Sequence, residues 1–157
     1  MTAASISDIK KELQTLEPKA LAELCMYLAK YKKDNKEYLG YLLFDAHDKE
    51  SAVKSVKEEI DIQFTQINHI NLHVVKKSLR KILRITNKYI KYIGTKQYEA
   101  ELLMYFCKKV KESRIPIQKS VVLQNLYQAQ LKKINTAISA LHEDLQYDYH
   151  NELEALA

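Results

Sequence analysis

Apolar residues recur at intervals of three and four along almost the whole chain, the spacing that gathers them on one face of a helix. Val53, Val56, Ile60, Phe64 and Ile67 predict a helix that starts near Asp48 and fades at Asn68. Upstream, Leu21, Leu24, Cys25, Leu28 and Tyr31 share a face between Pro18 and Lys33. A shorter helix from Ser7 or Asp8 must end before Glu17-Pro18, because proline disfavours a helical residue in front of it and suits the first turn of the next helix. Asp34, with Glu37 three residues on, has the capping-box spacing of a third helix. That helix is dense in Tyr38, Leu39, Tyr41, Leu42, Leu43 and Phe44, so it is expected to lie at the centre of the fold.

Further on, Asn71 is a natural cap for a fifth helix, which Gly94 would close in the left-handed conformation, and Thr95 caps a sixth that reaches about Ser113. After Ile115-Pro116-Ile117, Ser120 opens a long last helix. Its Tyr127, Leu131, Ile134, Ile138, Leu141 and Leu145 alternate by four and three, heptad spacing that calls for a partner helix or a second copy along its length. The expectation is an all-α fold of about seven helices in one domain, 1–157, built as α-solenoid-like stacked hairpins or as an irregular helical bundle. Composition agrees, since only 2 Gly and 2 Pro interrupt the chain. Residues 22–33 match residues 100–111 at an offset of 78, with seven of 12 positions identical. This reads equally as a weak duplication of halves 1–78 and 79–157 or as shared Lys/Leu-rich helix composition.

Charge changes the picture at one place. Between Asp61 and Glu99 there is no acidic residue and there are eight basic ones, while the rest of the chain holds 17 basic and 20 acidic residues; the surplus of +5 therefore belongs to this stretch. Projected at about 100° per residue, Lys76, Lys77, Arg80, Lys81, Arg84, Lys88 and Lys91 fall within an arc of about 140°, with the apolar residues of the helix opposite. Like charges at i,i+4 repel by a few tenths of a kcal/mol per pair, so the arc is expected to meet an anionic partner, either nucleic acid or an acidic protein surface. Arg80 and Arg84 are two of the chain's three arginines and offer the forked geometry that grips phosphate, and Tyr92 borders the arc where it could stack on a base. A competing expectation is internal neutralisation. From Ile134 onward there is no Lys or Arg, and Glu143, Asp144, Asp148, Glu152 and Glu154 could answer the arc within the chain, leaving a protein–protein scaffold or homo-oligomer. An anionic membrane surface fits less well, because the core needs the face that would insert.

Catalytic signatures are missing. Two glycines exclude a phosphate loop or a dinucleotide fingerprint, and there is neither HExxH nor ExxH. His69 and His73 flank the Asn71 cap and so do not share a helix face. Asp45, His47 and Asp48 form one acidic-histidine cluster; His142, Glu143, Asp144, Asp148 and His150 form another. Oxygen and imidazole donors of this kind suit a divalent metal ion, which makes a metal-dependent protein using His142, Asp144, Asp148 and His150 the third reading, although an exposed acidic helix end is the plainer one. Cys25 and Cys107 read as small core residues; Lys108 and Lys109 would favour a thiolate at Cys107 if it were reachable. Tyr27, Tyr31, Tyr105 and Tyr127 are expected to bury their rings and let their hydroxyls reach water or a neighbour. The sequence thus predicts a cytoplasmic, non-enzymatic helical binding module without a cofactor or a membrane span.

Overall fold

A computed structural model describes residues 2–157. It contains eight α-helices and, among the described residues, no strand: α1 (Ile6–Gln14), α2 (Pro18–Tyr31), α3 (Lys33–Gly40), α4 (Lys49–Thr65), α5 (Leu72–Ile93), α6 (Lys96–Glu112), α7 (Val121–Ser139) and α8 (Glu143–Leu156). The all-α fold is as expected. The helices fall into two compact units, one up to His47 and the other from Asp48 onward, so residue 78 lies inside α5 and inside the second unit.

In the first unit, α1 begins at Ile6, slightly earlier than its sequence suggests, because Ser5 Oγ accepts the N–H of Asp8 at 3.1 Å and also donates to its carboxylate at 2.6 Å. Pro18 opens α2 as expected. Asp34 does not cap α3: the cap position lies two residues earlier, at Lys32 in extended conformation, and the helix starts at Lys33. Asn35 makes the local tie instead, donating its amide to the carbonyl of Leu28 at 2.8 Å and closing α2 against α3. Beyond Gly40 the chain widens into a π-helical turn, Tyr41–Asp45, with Ala46 N–H bonded to the carbonyl of Tyr41. The expected central role of this segment is not observed. Tyr41 is buried, while Leu42, Leu43 and Phe44 are exposed at 49%, 64% and 71%, and α1, α2 and α3 bury no residue.

The second unit is an irregular bundle built around α6. Ala100, Leu102, Leu103, Met104, Phe106, Cys107 and Val110 of α6 are all buried, and the helix packs against α4, α5, α7 and α8. Val53, Val56, Ile60 and Phe64 of α4 and Leu123, Tyr127, Ile134 and Ile138 of α7 complete this core. On its rim, Lys57 pairs with Glu101, and the Asp61 carboxylate receives Lys109 Nζ at 2.9 Å and the Tyr105 hydroxyl at 2.8 Å. Burial raises the proton affinity of Asp61, but the hydrogen bonds from Lys109 and Tyr105 and the lysine's charge outweigh it, so the carboxyl sits below the usual range.

The last helix of the sequence reading is two helices. α7 ends at Ser139 and α8 restarts at Glu143, with His142 as its cap and Glu143 and Asp144 in its first turn, where negative charge suits the helix dipole. Gln146 fixes the corner by donating to the carbonyl of Leu141 at 2.7 Å. The heptad seam therefore stops at Ile138, Leu145 is 37% exposed, and the partner along α7 is α6 of the same chain. The end of α8 is pinned by Tyr127, whose hydroxyl donates to the carbonyl of Leu156 at 2.6 Å, and by Lys111, which reaches the carbonyl of Ala155 at 3.0 Å.

Candidate functional site

The face that distinguishes this molecule is the outer side of α5. Asn71 caps the helix through its side chain, accepting the N–H of Val74 at 3.0 Å, and Gly94 closes it at φ +71, as the sequence predicts. Val75, Leu79, Ile82, Leu83, Thr86 and Ile93 are buried. On the projection that starts from Lys76 they fall between about 240 and 340°, so the buried stripe is narrower than the apolar side of the helix. Thr86 lies in the middle of it with no exposed surface; its hydroxyl is satisfied by the carbonyl of Ile82 at 2.9 Å, which lets a polar residue sit in the core.

Opposite this stripe, Lys77, Arg80, Lys81, Arg84 and Lys91 are exposed, and Lys76 and Lys88 are half-buried. Among the described residues, Lys76, Lys77, Arg80, Lys81, Arg84 and Lys91 form no ion pair. Lys88 lies 5.0 Å from the centre of the Tyr89 ring, and Tyr89 meets Tyr92 edge to face at 5.9 Å. Tyr92 is thus half-buried and braced at the border of the arc.

The acidic C-terminal segment lies elsewhere in the second unit. α8 packs on α6 and α7, and its Asp148 and Glu152 line a cleft with Lys57, Glu101, Leu145 and Tyr149. No ion pair among the described residues joins Glu143, Asp144, Asp148, Glu152 or Glu154 to α5.

Of the candidate cation ligands, the structure pairs two. His142 Nδ1 and Asp144 Oδ2 approach to 3.4 Å on the exposed end of α8, and no group of three or more His, Cys, Asp or Glu suited to a metal ion occurs among the described residues. Asp48 instead caps α4 by accepting the N–H of Ser51 at 3.0 Å. His69 and His73 are exposed on either side of the Asn71 cap. Cys25 is exposed, contrary to its expected core position, because the face of α2 that carries it packs on nothing in its unit deeply enough to bury it. Cys107 is buried, and burial pushes its thiol up to about 12 despite the opposing charge of Lys111, so it is no reactive thiolate. Tyr105 and Tyr127 place their hydroxyls as expected, on Asp61 and on Leu156; Tyr27 and Tyr31 do not, being 70% and 75% exposed.

One cationic position escapes any reading of α5 alone. Lys133 of α7 lines a cleft with Asn87, Ile90, Lys91, Gly94, Thr95, Lys96 and Glu99, so the positive surface passes from α5 across the α5–α6 junction onto α7. No signal in the sequence near Lys133 announces this, since the two helices are separated by the whole of α6. No helix among the described residues is long and apolar enough to cross a membrane. No protein-family model, curated protein or solved structure matches the chain.

Proposed function

We propose that this protein binds nucleic acid through the cationic face of α5. The observation that carries the reading is the set Lys77, Arg80, Lys81 and Arg84, exposed on one face of a helix and free of ion pairs among the described residues. A helix of 22 residues extends about 33 Å, long enough for several phosphates to lie along it. Duplex nucleic acid presents about one charge per 1.7 Å of axis, a density that an acidic protein surface rarely reaches, and contact releases its condensed counterions. The forked guanidinium groups of Arg80 and Arg84, one turn apart, add directional bonds to phosphate oxygens.

Gel mobility shifts on DNA and RNA at low salt test this. The parent protein is expected to bind with weak sequence preference, and an Arg80→Glu/Arg84→Glu variant is expected to lose binding while keeping its helical circular dichroism. Engagement of five phosphates predicts a slope of about −4.5 in log K against log salt, so that a rise from about 50 to 200 mM weakens binding by a factor of about 500. A parent protein that shifts neither polymer ends the reading.

A second reading, self-association, is favoured by the first unit. Tyr27, Leu28, Tyr31, Leu43 and Phe44 are each more than 60% exposed there, more large apolar surface than a solvated helical hairpin ordinarily shows. A dimer formed through this unit predicts a doubled mass by light scattering and a return to monomer on Leu28→Ser/Phe44→Ser substitution. A monomeric parent at high concentration rules it out.

A further inference from the structure

The cleft at the end of the cationic face differs in kind from the face itself. Its volume is about 530 Å³, within the range of small-molecule sites, and it is lined from three helices: Asn87, Ile90 and Lys91 of α5, Lys96 and Glu99 of α6, and Lys133 of α7. Three lysines face one carboxylate there, a net of two positive charges. Glu99 is already held by Lys96 at 2.7 Å, whereas Lys91 and Lys133 have no ion pair among the described residues. Thr95 lines the same cleft at the cap position of α6, yet its side chain makes no cap hydrogen bond, and its Oγ1 is buried without a hydrogen-bond partner among the described residues. Ile90 supplies an apolar wall.

A phosphodiester in the middle of a strand carries one negative charge, and a terminal phosphate monoester carries close to two at neutral pH. We propose that this cleft holds the terminal phosphate of a nucleic-acid strand whose backbone runs along α5. Lys91 and Lys133 grip the phosphate from opposite helices, Asn87 can supply a further donor, and the first nucleotide lies against Ile90. Lys91 belongs both to the arc and to the cleft, which makes the path continuous. This inference rests on the nucleic-acid reading of α5 and adds to it a preference for one chemical kind of end.

Fluorescence anisotropy with three labelled strands of identical sequence distinguishes the two. One strand carries a 5′-phosphate, one a 3′-phosphate and one hydroxyls at both ends. One of the phosphorylated strands is expected to bind about tenfold more tightly than the hydroxyl strand, the worth of one added charge-assisted contact. Lys133→Ala, at an exposed side chain, is expected to abolish that preference, so that the phosphorylated strand loses about tenfold in affinity while the hydroxyl strand, which keeps its contacts with α5, loses much less. Equal affinity for all three strands overturns the end-binding proposal while the face on α5 stands. A preference that survives Lys133→Ala overturns its placement in the cleft. Absence of binding by every strand overturns both readings together.

Discussion

Truncation of Phe106 to alanine is expected to destabilise the second unit by about 3–5 kcal/mol, the usual cost of removing a buried phenyl ring and leaving a cavity. Phe106 has no exposed surface and its ring meets that of Phe64 with centroids 5.7 Å apart, so α6 and α4 lose a shared contact at once. Domains of this size are stable by about 5–15 kcal/mol, which makes the loss a large fraction of the total. Urea unfolding followed by circular dichroism at 222 nm measures it. A change below about 1 kcal/mol would mean that the bundle collapses readily around the vacated site and that α6 is not its structural centre. Replacement of Arg80 and Arg84 by alanine should leave the same transition almost unmoved, because neither side chain has an ion-pair partner to lose among the described residues. Core and cationic face are therefore separable by measurement.

Helical class was legible because spacing by three and four is a property of each segment alone. The whole of α5 could be read from end to end: its cap Asn71, its stop Gly94 and the division between cationic and apolar faces are all local. Depth of burial was not local. Residues 22–33 and 100–111 share seven of 12 identities, yet Leu24 is 40% exposed and Leu102 has no exposed surface. Nothing inside such a helix states whether four neighbours or one will pack on it, which is why apolar density alone points to α3 as the centre when α6 occupies it. The break between α7 and α8 did leave a local trace in His142, Glu143 and Asp144, a cap followed by acidic residues in a first turn; the unbroken heptad spacing outweighed it. Lys133 joins the candidate site only because α7 packs across α6, a tertiary fact with no imprint near residue 133.

The buried pair Cys107 and Tyr127 is expected to make stability fall in alkaline solution, over a window set by their environment. Burial pushes the thiol of Cys107 from its ordinary value of 9.0 to about 12, and burial together with the neighbouring Cys107 pushes the phenol of Tyr127 from 10.0 to about 12. Both groups thus keep their protons in the folded chain at pH values where the unfolded chain has released them. Their contribution is complete below pH 9, begins to fade as the unfolded thiol ionises, and is lost as pH rises through the folded values near 12. For Cys107 alone the fall over that window is expected to reach a few kcal/mol. Tyr127 adds to it, since ionisation would also cost the hydrogen bond its hydroxyl donates to the carbonyl of Leu156 and so release the end of α8. Tyr105, Tyr98 and Lys109 are shifted upward as well and act with the same sign, so the parent protein's pH profile cannot isolate the pair. A Cys107→Ala variant removes the thiol with little change of shape. Urea midpoints measured from pH 8 to 11 are expected to fall steeply for the parent and distinctly less for Cys107→Ala; parallel profiles would show that the thiol ionises as freely in the folded chain as in the unfolded one and is not sealed in the core.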